Sequence, residues 1–192
     1  MSEFQFSDGQ SEITGDFSKL EALIADLKID RHVDIGVFAT AVYDDGTPVA
    51  TVGAAHEFGV LIKHPGGTSY TIGPNGQARF VKAGTKGIVG TTKAHDIQMP
   101  KLSFIRVPLQ NGQSKITKYV MKHAKEHLEA GDVAAIFEDI GIAGEAVIRE
   151  AFDEKGPGWQ ANTPATKKRK GSDTPLKDEG RLEDVITHRV GE

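Results

Sequence analysis

The stretch from Asp132 to Phe152, "DVAAIFEDIGIAGEAVIREAF", decides the fold. Val133, Ile136, Phe137, Ile140, Val147, Ile148, Ala151 and Phe152 fall on one stripe at helical spacing, and Asp132 stands where an N-cap belongs. A helix of about 20 residues runs roughly 30 Å, the width of a small domain. Gly141 and Gly144 inside it each cost about 1 kcal/mol against alanine, which predicts the close approach of another backbone.

Immediately upstream, "KITKYVMKHAKEHLEAGD" carries Ile116, Tyr119, Val120 and Leu128 near helical spacing, closes at Gly131 and leaves a heavily charged face for solvent. Near the start, Ser18 and Glu21 have capping-box spacing before Leu20, Leu23, Ile24 and Leu27, the pattern of a small amphipathic helix that needs a partner. In "HVDIGVFA" apolar Val33, Ile35 and Val37 alternate with His32, Asp34 and Gly36, so a strand is predicted. After a turn at Asp44-Asp45-Gly46, "TPVATVGAAHEFGV" reads as a short helix stopped by Gly59. Here Phe58 is expected to pack, with His56 and Glu57 as helix-end packing and surface. Between Lys63 and Pro100 the chain holds seven glycines with "TSYTI", "ARFVK" and "AHDIQMP" as short strand candidates. The reading is α+β: one domain over 1–192, a small β-sheet packed by helices, an extended Gly-rich β-hairpin arm over 63–98, and a C-terminal loop and strand.

Composition narrows the function classes. With 192 residues, a net charge of −4 and 38% hydrophobic residues, the chain has no global attraction to a polyanion, so nucleic-acid contact has to be local and is not expected to be specific. The absence of cysteine removes disulfide and thiolate chemistry and fits a reducing compartment. The first residues, "MSEFQFSDGQSEITGDF", lack the basic start and apolar run of a signal peptide, and no apolar stretch approaches the ~20 residues of a membrane span. A soluble protein made in the cytoplasm, without membrane contact, is expected.

Motifs for catalysis are few. "HAKEH" places His123 and His127 one helical turn apart with Glu126 between them, the spacing of an inverted zincin, and so offers a zinc hydrolase as an alternative reading. No third ligand is evident beside it, and a lysine-rich exposed face that holds two of seven histidines accounts for it more simply. The paired glycines of "HPGGTSY" and "GPNGQ" match neither a phosphate-binding loop nor a dinucleotide fingerprint, and there is no nucleophile elbow. No catalytic residue, metal or cofactor is assigned.

The stretch "GWQANTPATKKRKGSDTPLKDEGRL", 158–182, is aperiodic. Lys155 to Ser172 holds five cations and no acid, and Asp173 to Asp184 holds five acids and two cations. A solvated loop is the plain account; phosphate binding by Lys167 to Lys170, as in a small nucleic-acid-binding module, lacks interleaved aromatics. Pro164 and Pro175 predict a loop without helix over 155–178, a mobile basic crest held at its ends by Trp159 and by Leu176 to Leu182. Val185 and Ile186 then resume an apolar pattern, which a disordered tail would not need.

The order Trp159, Thr163, Pro164, Thr166, Lys170, Gly171, Pro175, Leu176, Asp178, Gly180, Arg181, Leu182 resembles the C-terminal signature of the virion-morphogenesis or tail-completion proteins of the tailed-phage head-to-tail neck. Upstream, Glu57-Phe58-Gly59 is similar to an element of related neck proteins, as are Pro100, Phe104 and Arg106; between the last three, Lys101, Leu102 and Ser103 depart from the Ala-Arg-Pro run of relatives. The resemblance implies a small α+β domain that catalyses no reaction. It implies a ring of identical subunits where the tail joins the capsid, in contact with other neck, capsid-connector or tail-tube proteins. It also implies location in the virion after assembly in the host bacterial cytoplasm.

Overall fold

The computed structural model of the chain describes residues 17–74, 76–177 and 180–192. The fold is α+β: helices α1 (Ser18–Leu27), α2 (Val49–Phe58), α3 (Arg106–Ala130), α4 (Val133–Asp153), α5 (Pro164–Lys170) and α6 (Arg181–Asp184), with seven short strands distributed among them. Asp132 caps α4 by accepting from the Ala135 N–H at 3.0 Å, and Gly131 ends α3 in the left-handed region. Only two residues separate these helices, so α3 and α4 form a helical hairpin.

The second face of α4 lies on an antiparallel ribbon of β1 (His32–Val37) and β7 (Ile186–Gly191), in which Val37 stands opposite Ile186 and Ile35 opposite His188. The two glycines of α4 explain this approach. A Cβ at Gly141 would overlap the His188 ring, and one at Gly144 would overlap the Ile35 side chain. The expected close approach is therefore made by strand side chains rather than by another backbone. Val49, Phe104, Ile148, Phe152, Leu182 and Ile186 form the buried core, with Phe152 meeting Phe104 edge-on at 5.7 Å between centroids. The stripe of α4 is buried at both ends, at Val133 and at Val147, Ile148, Ala151 and Phe152, whereas Ile136, Phe137 and Ile140 between them are half-buried.

Between α2 and α3 the chain leaves the body. Strand β2 (Val60–His64) pairs with β6 (His95–Met99), and β3 (Ser69–Ile72) pairs with β4 (Ala78–Phe80) and β5 (Gly90–Thr91), all antiparallel.

Several sequence expectations are corrected. Ser18 is the first residue of α1 rather than its cap, a position held by Phe17. Helix α3 begins nine residues before Lys115, at Arg106, because its N-terminus is capped from outside the helix. The basic stretch is helical: Thr163 caps α5 through the Thr166 N–H at 3.2 Å and Pro164 occupies the first helical position, where a missing N–H costs nothing. Proline at 164 thus starts a helix instead of preventing one.

Candidate functional site

Glu57 organises the site. It stands in the last turn of α2, the end of a helix dipole that disfavours a carboxylate, yet it is 4% exposed. The surface position expected for it is wrong because its carboxylate supplies the missing cap of α3. It accepts from Ser103 Oγ at 2.6 Å, the Phe104 N–H at 2.7 Å, the Ile105 N–H at 2.9 Å and Arg106 Nε at 3.0 Å. Burial pushes its pKa up, but the bonds from Ser103, Ile105 and Arg106 outweigh burial and leave the carboxyl below its ordinary value. Leu102 N–H donates to the His56 carbonyl at 2.7 Å beside it.

The same clamp explains its neighbours. Phe58 does not pack inward; it is 63% exposed, with the Arg106 guanidinium 4.9 Å from its ring centroid. Gly59 ends α2 with φ 73° and ψ 151°, a positive φ that favours glycine, and a Cβ there would press on the Lys101 backbone at 3.1 Å. Glu57-Phe58-Gly59 and Phe104 with Arg106, two elements 45 residues or more apart, are thus one unit.

The C-terminal residues join that unit from the other side. Trp159 donates from Nε1 to the Ser103 carbonyl at 3.3 Å and meets Phe152 edge-on at 5.3 Å. Leu176 packs on the core and Leu182 is buried within it, so Trp159 and this segment do flank the basic stretch as anchors. Between them the cations are partly answered: Lys167 pairs with Asp173 at 2.6 Å, Lys155 reaches the same carboxylate at 3.4 Å, and Lys170 donates to the Thr174 carbonyl at 3.5 Å. Gly171 ends α5 in the left-handed region, Pro175 is buried, and Gly180 precedes α6. Arg181 pairs with Asp44 at 3.0 Å. Asp178 lies outside the described residues.

Pro100, Thr166, Lys170, Leu176 and Leu182 share the wall of one open cleft of about 590 Å³, which His56 also lines. Burial and the nearby Lys170 charge hold the His56 pKa below its ordinary value, so its imidazole is neutral at pH 7. The cleft brings together three segments of the chain.

The "HAKEH" histidines lie elsewhere. His127 Nε2 is 3.0 Å and His123 Nδ1 3.5 Å from Asp139 Oδ2 on α4, while Glu126 is exposed. Among the described residues no group of three His, Asp or Glu side chains is arranged to hold a metal ion. A second histidine site, unremarked in the sequence, lies at His188: Nδ1 is 2.6 Å from Glu145 Oε1 and Nε2 is 2.9 Å from Glu138 Oε2. No described helix is long and apolar enough to cross a membrane.

No family model, curated protein or solved structure matches this chain.

The Glu57 cap had one signal in the sequence. Helix α2, "VATVGAAHEF", carries a single acid and places it at the unfavourable end of the helix, a position that asks for a donor from another element.

Proposed function

We propose that the chain is a non-enzymatic structural subunit of a phage or prophage virion, acting in head-to-tail joining or tail completion as a member of a ring. One observation carries this reading: the described residues that resemble the neck-protein signature, drawn from 57–59, 100–106, 159–176 and 180–182, come together around one core and cleft. There they cap a helix, close a core and line a cleft, roles in architecture rather than in reaction chemistry. Glu57 and Arg106 hold α3, Trp159 holds the entry to α5, and Leu182 enters the core.

Mass measurement with negative-stain imaging of the purified chain tests the ring, and a discrete closed oligomer is the expected result. In a phage that encodes the chain, its deletion should leave filled heads and tails unjoined; a normal yield of infectious particles would overturn the assignment. Stoichiometric zinc together with peptidase activity lost in Glu126→Gln would replace it with the hydrolase reading.

A further inference from the structure

Residues 58–95 hold five cations (Lys63, Arg79, Lys82, Lys86 and Lys93) and no acid, whereas the rest of the chain holds 18 cations against 27 acids. Lys63 stands opposite Asp96 in the β2–β6 ribbon. The other four lie beyond that ribbon: Arg79 in β4, Lys82 and Lys86 in the β4–β5 connection, and Lys93 just after β5. All five are exposed, and among the described residues none of their side chains takes part in an ion pair or a hydrogen bond. The cations of α5 differ, since Lys167 pairs with Asp173 and Lys170 donates to the Thr174 carbonyl. Like charges gathered without acids repel one another, and an anionic partner relieves that cost.

The register of the outer sheet places rings among these charges. Tyr70 of β3 faces Phe80 on one side and Gly90 on the other, and Ile72 faces Ala78. Directly opposed residues of antiparallel strands share a face, and alternate residues along a strand share it too. Tyr70, Ile72 and Phe80 are therefore on one face, with Arg79 on the other. Tyr70 is half-buried and lies against Gly90, where an added Cβ would come within 3.1 Å of its hydroxyl, whereas Phe80 is 66% exposed. Strand β4 is at the edge of the sheet, so Arg79 and Phe80 stand at an open edge with Lys82 two residues on. The run "ARFVK" thus interleaves an aromatic ring with cations, the arrangement that Lys167 to Lys170 lack.

We propose that the outer β3–β4–β5 sheet binds single-stranded nucleic acid without sequence preference, with phosphates on Arg79, Lys82 and Lys86 and a base stacked on Phe80. Lys63 and Lys93 add to the local field. Every base has a π-face, so a bare ring among cations suits a single strand of any sequence, whereas in a duplex the bases are already stacked. The chain as a whole carries a charge of −4 and attracts no polyanion elsewhere, which confines the contact to this sheet. The inference goes beyond the ring reading and stands independently of it.

Fluorescence anisotropy of labelled oligothymidylate and oligouridylate, titrated with the full chain over a range of salt, tests this. Binding of either supports the proposal, and the tighter of the two names DNA or RNA as the source of the strand. The expected log–log salt slope is about −2, from about 0.7 per phosphate over three contacts. Phe80→Ala should weaken binding about tenfold without changing that slope, which separates stacking from phosphate contact. The triple variant Arg79→Glu, Lys82→Glu, Lys86→Glu should lose binding, while a charge-matched control on α3, Lys118→Glu with Lys122→Glu and Lys125→Glu, should retain it. Each variant is screened for native melting, and a chain whose residues 65–94 are replaced by a short turn serves where the triple variant does not fold. Native affinity in the triple variant or in the shortened chain would overturn the proposal, as would equal loss in the α3 control. A duplex bound as tightly as the single strand, with Phe80→Ala of no effect, would overturn the stacked strand. Absence of binding at low salt would also overturn it, and oligomers of the native chain that the triple variant fails to form would then assign these cations to the acidic body of a second copy.

Discussion

Replacing Glu57 by alanine strands its four close donors at once, with the Arg106 N–H as a longer fifth at 3.4 Å. Ser103 Oγ and the Phe104 N–H are buried and have no route to solvent, whereas Ile105 N–H is half-buried and Arg106 reaches water with its guanidinium. Hydrogen bonds to a charged acceptor contribute about 1.5–3 kcal/mol each, and the two solvent-accessible donors recover most of theirs from water. The net loss is roughly 3–5 kcal/mol, at the upper end for a point substitution. For a chain of this size about 2–4 °C is lost per kcal/mol, so the melting temperature should fall by roughly 10 °C, read by circular dichroism and calorimetry. Glu57→Gln keeps one oxygen and turns an amide against an N–H, and should lose about 2 kcal/mol. The carboxyl pKa is depressed in the folded chain, so its stabilisation is present above the unfolded value of about 4.5 and is lost as pH falls through the folded one. The native protein should therefore lose stability below that pH more steeply than Glu57→Gln. A Glu57→Ala protein melting within about 2 °C of native would refute the cap as the element that holds α3.

His188 gives the opposite pH signature. Both ring nitrogens face carboxylate oxygens, which accept only when ionised, so these contacts favour the imidazolium, in which both nitrogens donate. Burial lowers its pKa, and the bonds to Glu138 and Glu145 outweigh burial and leave it raised, while Arg149 pairs with Glu145 at 3.3 Å. Its contribution is complete below about pH 6.5 and is lost as pH rises through the raised value. Thermal stability should fall across that window in the native protein and stay flat in His188→Gln; an NMR titration showing a neutral ring at pH 6 would contradict the assignment. Trp159→Ala removes the edge contact with Phe152 and the bond to Ser103, with an expected loss of about 2–3 kcal/mol from a half-buried indole and faster trypsin cleavage at Lys167 and Lys168. Unchanged cleavage would show that α5 is held without it.

The parts of the fold that could be read from sequence are those set by local periodicity. The α4 stripe, the Asp132 cap and the Val33–Val37 alternation need no knowledge of a partner, and each is found where its pattern places it. The start of α3 was hidden because its cap is Glu57, 49 residues before Arg106, and no window of helical length contains both. Helix α5 was hidden by a misread proline: the residue that forbids a helix interior is welcome at its first position, and Thr163 before it was the mark of a cap. Of the candidate site, the residues could be named but their meeting could not. Trp159 beside Ser103, and Lys170 with Pro100 on one cleft wall, are set by tertiary packing alone. The His123–Glu126–His127 spacing shows the converse. The helix does bring the two imidazoles to one side, but they face Asp139 while Glu126 faces solvent.

The Glu57 clamp has a consequence for how such a chain can change. Its carboxylate and the Leu102–His56 bond fasten together the two points where the arm departs and returns. The segment between those points is tied to the body at its stapled ends. Loop closure varies with length by about 0.6 kcal/mol per doubling, far less than the clamp contributes. The segment is thus a socket: it can be lengthened, trimmed or exchanged for an unrelated module with little effect on the body's melting. Selection can then rework the arm without renegotiating how the body folds.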